Sequence, residues 1–103
     1  MTDFQKVTVV KKANVYFDGK VTSRTLRFED GSKKTLGYML PGEYQFNTDS
    51  PEVMEVLGGA CEVLTGNAKE WRKYGAGESF SVPGHSSFKI KTGQGVDYCC
   101  SFQ

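Results

Sequence analysis

The stretch Gly77-Glu78-Ser79-Phe80-Ser81-Val82-Pro83-Gly84-His85 decides the fold. It opens on a glycine, which takes the left-handed backbone of a tight turn without steric cost. Ser79-Phe80-Ser81-Val82 then alternates polar with apolar, the pattern of a half-buried strand. Pro83-Gly84 stops that strand, because proline has no N–H for a ladder and glycine lets the chain reverse. A turn, a short strand and another turn in so short a span leave no room for a helix.

The same rhythm runs outward in both directions. Turn-forming groups recur at Asp18-Gly19, Glu29-Asp30-Gly31-Ser32, Pro41-Gly42, Gly58-Gly59, Thr65-Gly66-Asn67, Gly75-Ala76-Gly77 and Gly93-Gln94-Gly95. The segments between them are rich in Val, Phe, Tyr and Thr. They predict strands near Lys6–Val10, Lys20–Phe28, Lys33–Leu40, Glu43–Asn47, Glu52–Leu57, Ala60–Leu64, Glu70–Tyr74, Ser79–Val82, Ser86–Lys91 and Val96–Phe102. Lys20–Phe28 and Lys33–Leu40 are expected to pair as a hairpin around Asp30-Gly31. No window carries a sustained helical period. Alternation puts Leu36, Tyr38 and Leu40 on one face of their strand and Thr35, Gly37 and Met39 on the other. It likewise groups Tyr44 with Phe46, and Glu52 with Met54 and Val56. Many short strands predict an all-β sandwich or barrel.

A chain of 103 residues makes a single domain, 1–103, with one core. Residues 1–12 read as a loose extension or an edge strand. The net charge of +1 supplies no field to draw the chain to a nucleic acid polymer or a membrane, though a local pair of cations would bind phosphate. Cys61, Cys99 and Cys100 are an odd set without CxxC or zinc spacing, and read as reduced, buried thiols. The neighbours Cys99 and Cys100 should point to opposite faces of a strand. Met1–Lys6 lacks the pattern of a signal peptide, so a cytoplasmic location is expected.

Gly77, Pro83, Gly84 and His85 resemble the second motif of the cupins, and Glu52 with Gly59 resembles the end of their first motif. The resemblance implies a double-stranded β-helix, or jelly-roll barrel. Metal-binding cupins draw histidines from both motifs. Here Gly42–Ser50 holds none, and His85 is the only histidine in the chain. A nitrogen-rich site for a transition metal cannot be built from one chain, so no metal is expected.

The resemblance then narrows. Asn14–Val21, Gly37–Thr48, Pro51–Val56, Trp71, Phe80–Phe88 and Tyr98-Cys99-Cys100 are similar, in order and spacing, to the pyrimidine/purine nucleoside phosphorylase family. That family consists of single-domain cupins. The resemblance implies a pentosyltransferase of broad specificity, a role consistent with nucleoside salvage. It would convert purine and pyrimidine nucleosides with inorganic phosphate to free base and pentose 1-phosphate, without a cofactor. The alternative is a metal-free cupin that binds a small metabolite without catalysis.

Phosphorolysis needs a place for phosphate, grips on the sugar and a ring face for the base. Arg24, Arg27 and Lys33, on the expected hairpin, and Ser86 are the candidates for phosphate. Parity alone does not decide which of the cations point inward. Glu52 shares an apolar face with Met54 and Val56, so its carboxylate needs partners: sugar hydroxyls, or a structural ion pair with an interior cation. His85, after the Pro83-Gly84 turn, is a candidate catalytic group beside Glu52, or a turn residue satisfying a carbonyl. Tyr38, Tyr44, Phe80 and Gln45 are candidates to hold the nucleoside, the rings by stacking. Small barrels of this kind pair to cover exposed faces, so a homodimer is expected.

Overall fold

The computed structural model describes residues 3–103. Met1 and Thr2, the start of the expected N-terminal extension, lie outside the described residues. The strands are β1 (Thr8–Val9), β2 (Asn14–Tyr16), β3 (Val21–Arg27), β4 (Lys33–Met39), β5 (Gly42–Thr48), β6 (Glu52–Thr65), β7 (Arg72–Gly75), β8 (Ser79–Val82), β9 (Ser86–Thr92) and β10 (Val96–Phe102). Among the described residues the only helical element is a 3-10 turn, Phe17–Gly19. The chain is all-β, as its punctuation predicts, and curls into a jelly-roll barrel of the cupin type.

One antiparallel sheet runs in the order β1-β3-β4-β10-β6-β9-β5, with β2 beside β3 and both β7 and β8 beside β6. The expected β3–β4 hairpin forms. Its turn is held by Asp30, whose Oδ1 accepts bonds from the Ser32 N–H at 2.8 Å and the Ser32 hydroxyl at 2.6 Å. These bonds hold the Asp30 carboxyl below its ordinary range.

Strand β6 is the spine. Its first half pairs with β8 and β10, and its second half with β7 and β9. The sequence predicts a break at Gly58-Gly59, with separate strands on either side. The structure shows one continuous strand that bends there. Asp97 pairs with Gly58 but Tyr98 pairs with Val56, so Leu57 is the extra residue of a β-bulge. The bulge shifts parity by one residue. Met54 and Val56 are buried before it, and Cys61 and Val63 after it, so both halves feed one core. Gly59 has φ +79°, and a Cβ there would overlap the carbonyl oxygen of Gly95. Only glycine fits this corner.

The core gathers Val21, Met39, Met54, Val56, Cys61, Val63, Val82, Ile90 and Val96. Each large apolar side chain buried there contributes about 1.5–3 kcal/mol. The barrel's open seam, between β2 and β5, closes through rings. Phe17 lies 5.0 Å from Tyr44 and 5.4 Å from Phe46, and Tyr16 lies 6.3 Å from Phe46.

Strand β2 is not in the sequence prediction, because Val15 and Tyr16 are exposed and carry no alternation signal. Side-chain bonds hold it instead: Asn14 Nδ2 donates to Ser23 Oγ at 3.2 Å and Thr25 Oγ1 at 3.1 Å. Strand β1, shorter than predicted, pairs Thr8 with Arg27 and Val9 with Leu26.

Candidate active site

In antiparallel ladders, directly opposed residues share a face. Register therefore fixes which side chains meet inside the barrel. Val82 of β8 opposes Glu52 of β6, which opposes Phe102 of β10. One step beyond the Ser101–Lys34 pair, Phe102 meets Lys33 of β4, whose Nζ stands 5.1 Å from its ring centroid. Lys33 in turn opposes Arg27 of β3. These five residues make a row across the inner face at one end of the barrel. The next row inward is Met54, Cys100, Thr35 and Thr25, and the one after it Val56, Tyr98, Gly37 and Ser23.

Side chains of these rows line one wall of a half-open cavity of about 170 Å³. Its polar wall is Glu52, Cys100, Thr35, Tyr98, Ser23 and Asn47, and Tyr16, Phe46 and Phe88 supply its aromatic side. Gly37 makes room for the Tyr98 ring. A Cβ at Gly37 would fall 2.5 Å from Tyr98 Cζ and 2.5 Å from the Thr22 carbonyl oxygen. The phenol thereby lies across β4 on the side of Ser23. Burial, with the Cys100 sulfur nearby, pushes Tyr98 up to about 12, so it stays a neutral hydrogen-bond donor.

Glu52 is the carboxyl of this cavity. The Cys100 thiol donates to its Oε1 at 3.4 Å. Burial raises the Glu52 pKa, the Cys100 bond opposes that rise, and the charge of Asp49 adds to it. Among the described residues no lysine or arginine lies within ion-pair distance of Glu52, so the structural ion pair considered from sequence is absent. Burial and the neighbouring Glu52 charge push the Cys100 thiol far up.

The cupin fold implies a metal, but these residues do not fit one. Among the described residues no group of three His, Cys, Asp or Glu side chains is placed to hold an ion. The cavity's one thiol, Cys100, is held protonated, where a cysteine ligand must be a thiolate.

The other sequence candidates lie as follows. Lys33 and Arg27 have inner-face parity, but both are exposed at the barrel's end and neither lines the cavity. Arg24 has the opposite parity, and its guanidinium donates to the Lys11 carbonyl on the outer surface. Tyr38 is 45% exposed on the outer face. Gln45 is exposed on β5. Tyr44 is buried and donates to the Leu40 carbonyl at 2.8 Å. Phe80 is core, 4.9 Å from Tyr74 and 6.0 Å from Phe88. Ser86 is half-buried, and its N–H donates to Thr48 Oγ1 at 3.0 Å. His85 is exposed at φ +50° in the β8–β9 turn, and its N–H donates to the Asp49 carbonyl at 3.1 Å. His85 thus shares the barrel end of Glu52 but does not line the cavity. Sequence reasoning missed Ser23, Thr35, Tyr98 and Cys100 as lining residues. The alternation of Tyr98, Cys100 and Phe102 along β10 was the available signal.

Over residues 11–102 the chain matches the family described as pyrimidine/purine nucleoside phosphorylase. This chain belongs to that family. A pyrimidine/purine nucleoside phosphorylase of Wolinella succinogenes is 60% identical over 102 residues, covering 99% of this chain and 97% of the relative. The crystal structure of a protein of unknown function from an Acinetobacter species is 48% identical, with a TM-score of 0.96 over 98% of both chains. An RmlC-like cupin from Shewanella frigidimarina is 19% identical, with a TM-score of 0.71 over 97% of this chain and 86% of its own, and shows the shared fold. Within the pyrimidine/purine nucleoside phosphorylase family, then, the half-open cavity of this member is built around one carboxyl without a cation partner.

Proposed function

We propose that this protein is a broad-specificity nucleoside phosphorylase, a pentosyltransferase that uses inorganic phosphate as co-substrate and needs no further cofactor. The observation that carries the reading is Glu52, a half-buried carboxyl lining the cavity with a thiol as its bonding partner. A buried carboxyl without a counter-ion costs stability unless a ligand completes it. Sugar hydroxyls are such a ligand, since a carboxylate only accepts and a hydroxyl can donate.

In the reaction, a phosphate oxygen attacks C1′ while the N-glycosidic bond breaks. The bond's electron pair leaves on the base, which takes a proton from solvent. Positive charge builds on the sugar ring as in glycoside hydrolysis. Glu52 stabilises that charge, and the neutral phenol of Tyr98 donates to sugar oxygens. Lys33 and Arg27 hold phosphate at the mouth. Tyr16, Phe46 and Phe102 offer ring faces to the base, and ring faces accept purines and pyrimidines alike. A cavity of about 170 Å³ takes the sugar and leaves base and phosphate at its opening. The protein would act as a cytoplasmic homodimer in nucleoside salvage. Its outer apolar side chains, Leu57 at 48% exposure among them, would be covered by the second copy.

The test is to incubate the purified protein with inosine or uridine, with and without phosphate, and to follow free base. Phosphate-dependent release is expected. No release from any common nucleoside would overturn the reading in favour of a binding protein. Light scattering of the eluted protein tests the dimer, and a monomer at micromolar concentration would overturn that part.

A further inference from the structure

Cys100 is a cavity residue that phosphorolysis leaves without a task. It is buried, its thiol is held protonated, and it cannot serve as a nucleophile in that state. Its position relative to Glu52 is specific. Glu52 opposes Phe102 and Cys100 opposes Met54, so the two are diagonal neighbours across β6 and β10 on the inner face. A carboxylate has no proton to give, so at 3.4 Å the thiol is the donor and Glu52 Oε1 the acceptor. On its other side Cys100 opposes Thr35 of β4.

We propose that Cys100 is a positioning residue, whose thiol ties Glu52 Oε1 to the β10 wall and leaves the carboxyl's other oxygen directed at the substrate's sugar. This rests on the reading that Glu52 acts on a nucleoside. A thiol suits the task because it is a weak donor: it orients the carboxyl without supplying the strong bond that a ligand hydroxyl is to make. The groups facing Glu52 are few. Cys100 and Phe102 face it from β10, and Val82 from β8. Asp49, from the β5–β6 turn, adds negative charge, and Tyr98 lies farther inward. Lys33 is the nearest cation of the row, with the Phe102 ring between it and Glu52. A cysteine that merely filled space would leave Glu52 indifferent to its replacement by a group of similar size.

The experiment follows the Glu52 carboxyl by NMR titration in the ligand-free protein, together with the pH profile of kcat/KM for inosine. In Cys100→Val the Glu52 midpoint should rise by about half a pH unit, because a bond to the charged form is lost. The acid limb of the profile should move the same way, with kcat lowered several-fold and KM for phosphate unchanged. Cys100→Ser should restore part of both effects, and Cys61→Val, a buried thiol elsewhere in the core, should cause neither. A folded Cys100→Val protein whose Glu52 titrates as in the native chain overturns the proposal. Absence of activity in every protein, the native one included, overturns the enzymatic reading instead, and the titration then decides the positioning role alone. If Cys100→Val does not fold, the infrared S–H stretch of the native protein and Glu52→Gln replaces it. The band should shift when the carboxylate acceptor is lost, and an unmoved band overturns the proposal.

Discussion

The ammonium of Lys33 stands 5.1 Å from the centroid of the Phe102 ring, and Phe102 is itself paired with Glu52. A cation, a ring and a carboxyl thus occupy neighbouring strands in one row. Arg27 extends the row on the cation side. If this row binds phosphate, Lys33→Gln and Arg27→Gln should each raise the KM for phosphate about tenfold or more, the scale of a lost charge-assisted bond. Added salt should weaken phosphate binding in the native protein and less so in the variants. Arg24→Gln, whose side chain serves the outer surface, should leave the KM for phosphate unchanged. Equal effects of all three would remove the row from the phosphate site. Steady-state kinetics at varied phosphate decides between these outcomes.

Glu52→Gln should lower kcat by about 10²-fold, the scale for removing one electrostatic contact to a transition state. It should also stabilise the protein at neutral pH. Burial raises the Glu52 pKa, so the native state holds the proton more tightly than the unfolded chain does. The carboxyl then costs stability once pH rises above about 4.3, the unfolded value, and the cost levels off above the native value. The gain from Gln should therefore be present at pH 7 and absent below pH ~4. Each kcal/mol regained would raise Tm by about 4–8 °C in a domain of this size. Thermal melts across pH check the sign, and a loss of stability at pH 7 would mean that Glu52 has a cation partner in the fold.

His85→Asn separates the two roles open to this residue. Asparagine tolerates the left-handed backbone at φ +50° and keeps the N–H bond to Asp49. The cavity forms without the imidazole, so activity within about twofold of native and an unchanged pH profile are expected. A loss of tenfold or more with the fold intact would place His85 in the chemistry.

Gly59→Ala should destabilise by at least about 2 kcal/mol, read as a lower urea midpoint. It adds an overlap with the Gly95 carbonyl to an unfavourable φ of +79°. Gly77→Ala, at φ +90° but with nothing within 4 Å, should cost only the backbone part. Equal losses would show that the corner can open.

The three thiols should resist modification in the native state. All are buried, and burial alone pushes Cys61 up to about 11. A thiol reagent at pH 8 should therefore find no fast-reacting cysteine until urea unfolds the chain. A fast native reaction would show that the cavity opens to reagents.

Much of the fold was legible along the chain because turns and short strands are local events. Pro83-Gly84 and Asp30-Gly31 announce their turns by φ preference and missing donors, and the parity of Met54 with Glu52 follows from the pleat. The bulge at Leu57 was not legible. Gly58-Gly59 reads as a break in one dimension, whereas here it bends a strand whose ladder to β10 continues through it. Strand β2 was missed because Asn14 is held by hydroxyls of β3 and not by its own pattern.

The candidate site divides along the same line. By itself the sequence determined an all-β sandwich or barrel with a single histidine, and a Glu52 that shares a face with Met54 and Val56, since those rest on composition and on period along one strand. Only the tertiary structure decided that Glu52 faces Cys100 rather than a cation, that Lys33 packs on the Phe102 ring while Arg24 serves the outer surface, and that Gly37 yields its space to Tyr98. Those relations are between strands far apart in the chain, where register, one bulge and the curl of the sheet choose the neighbours.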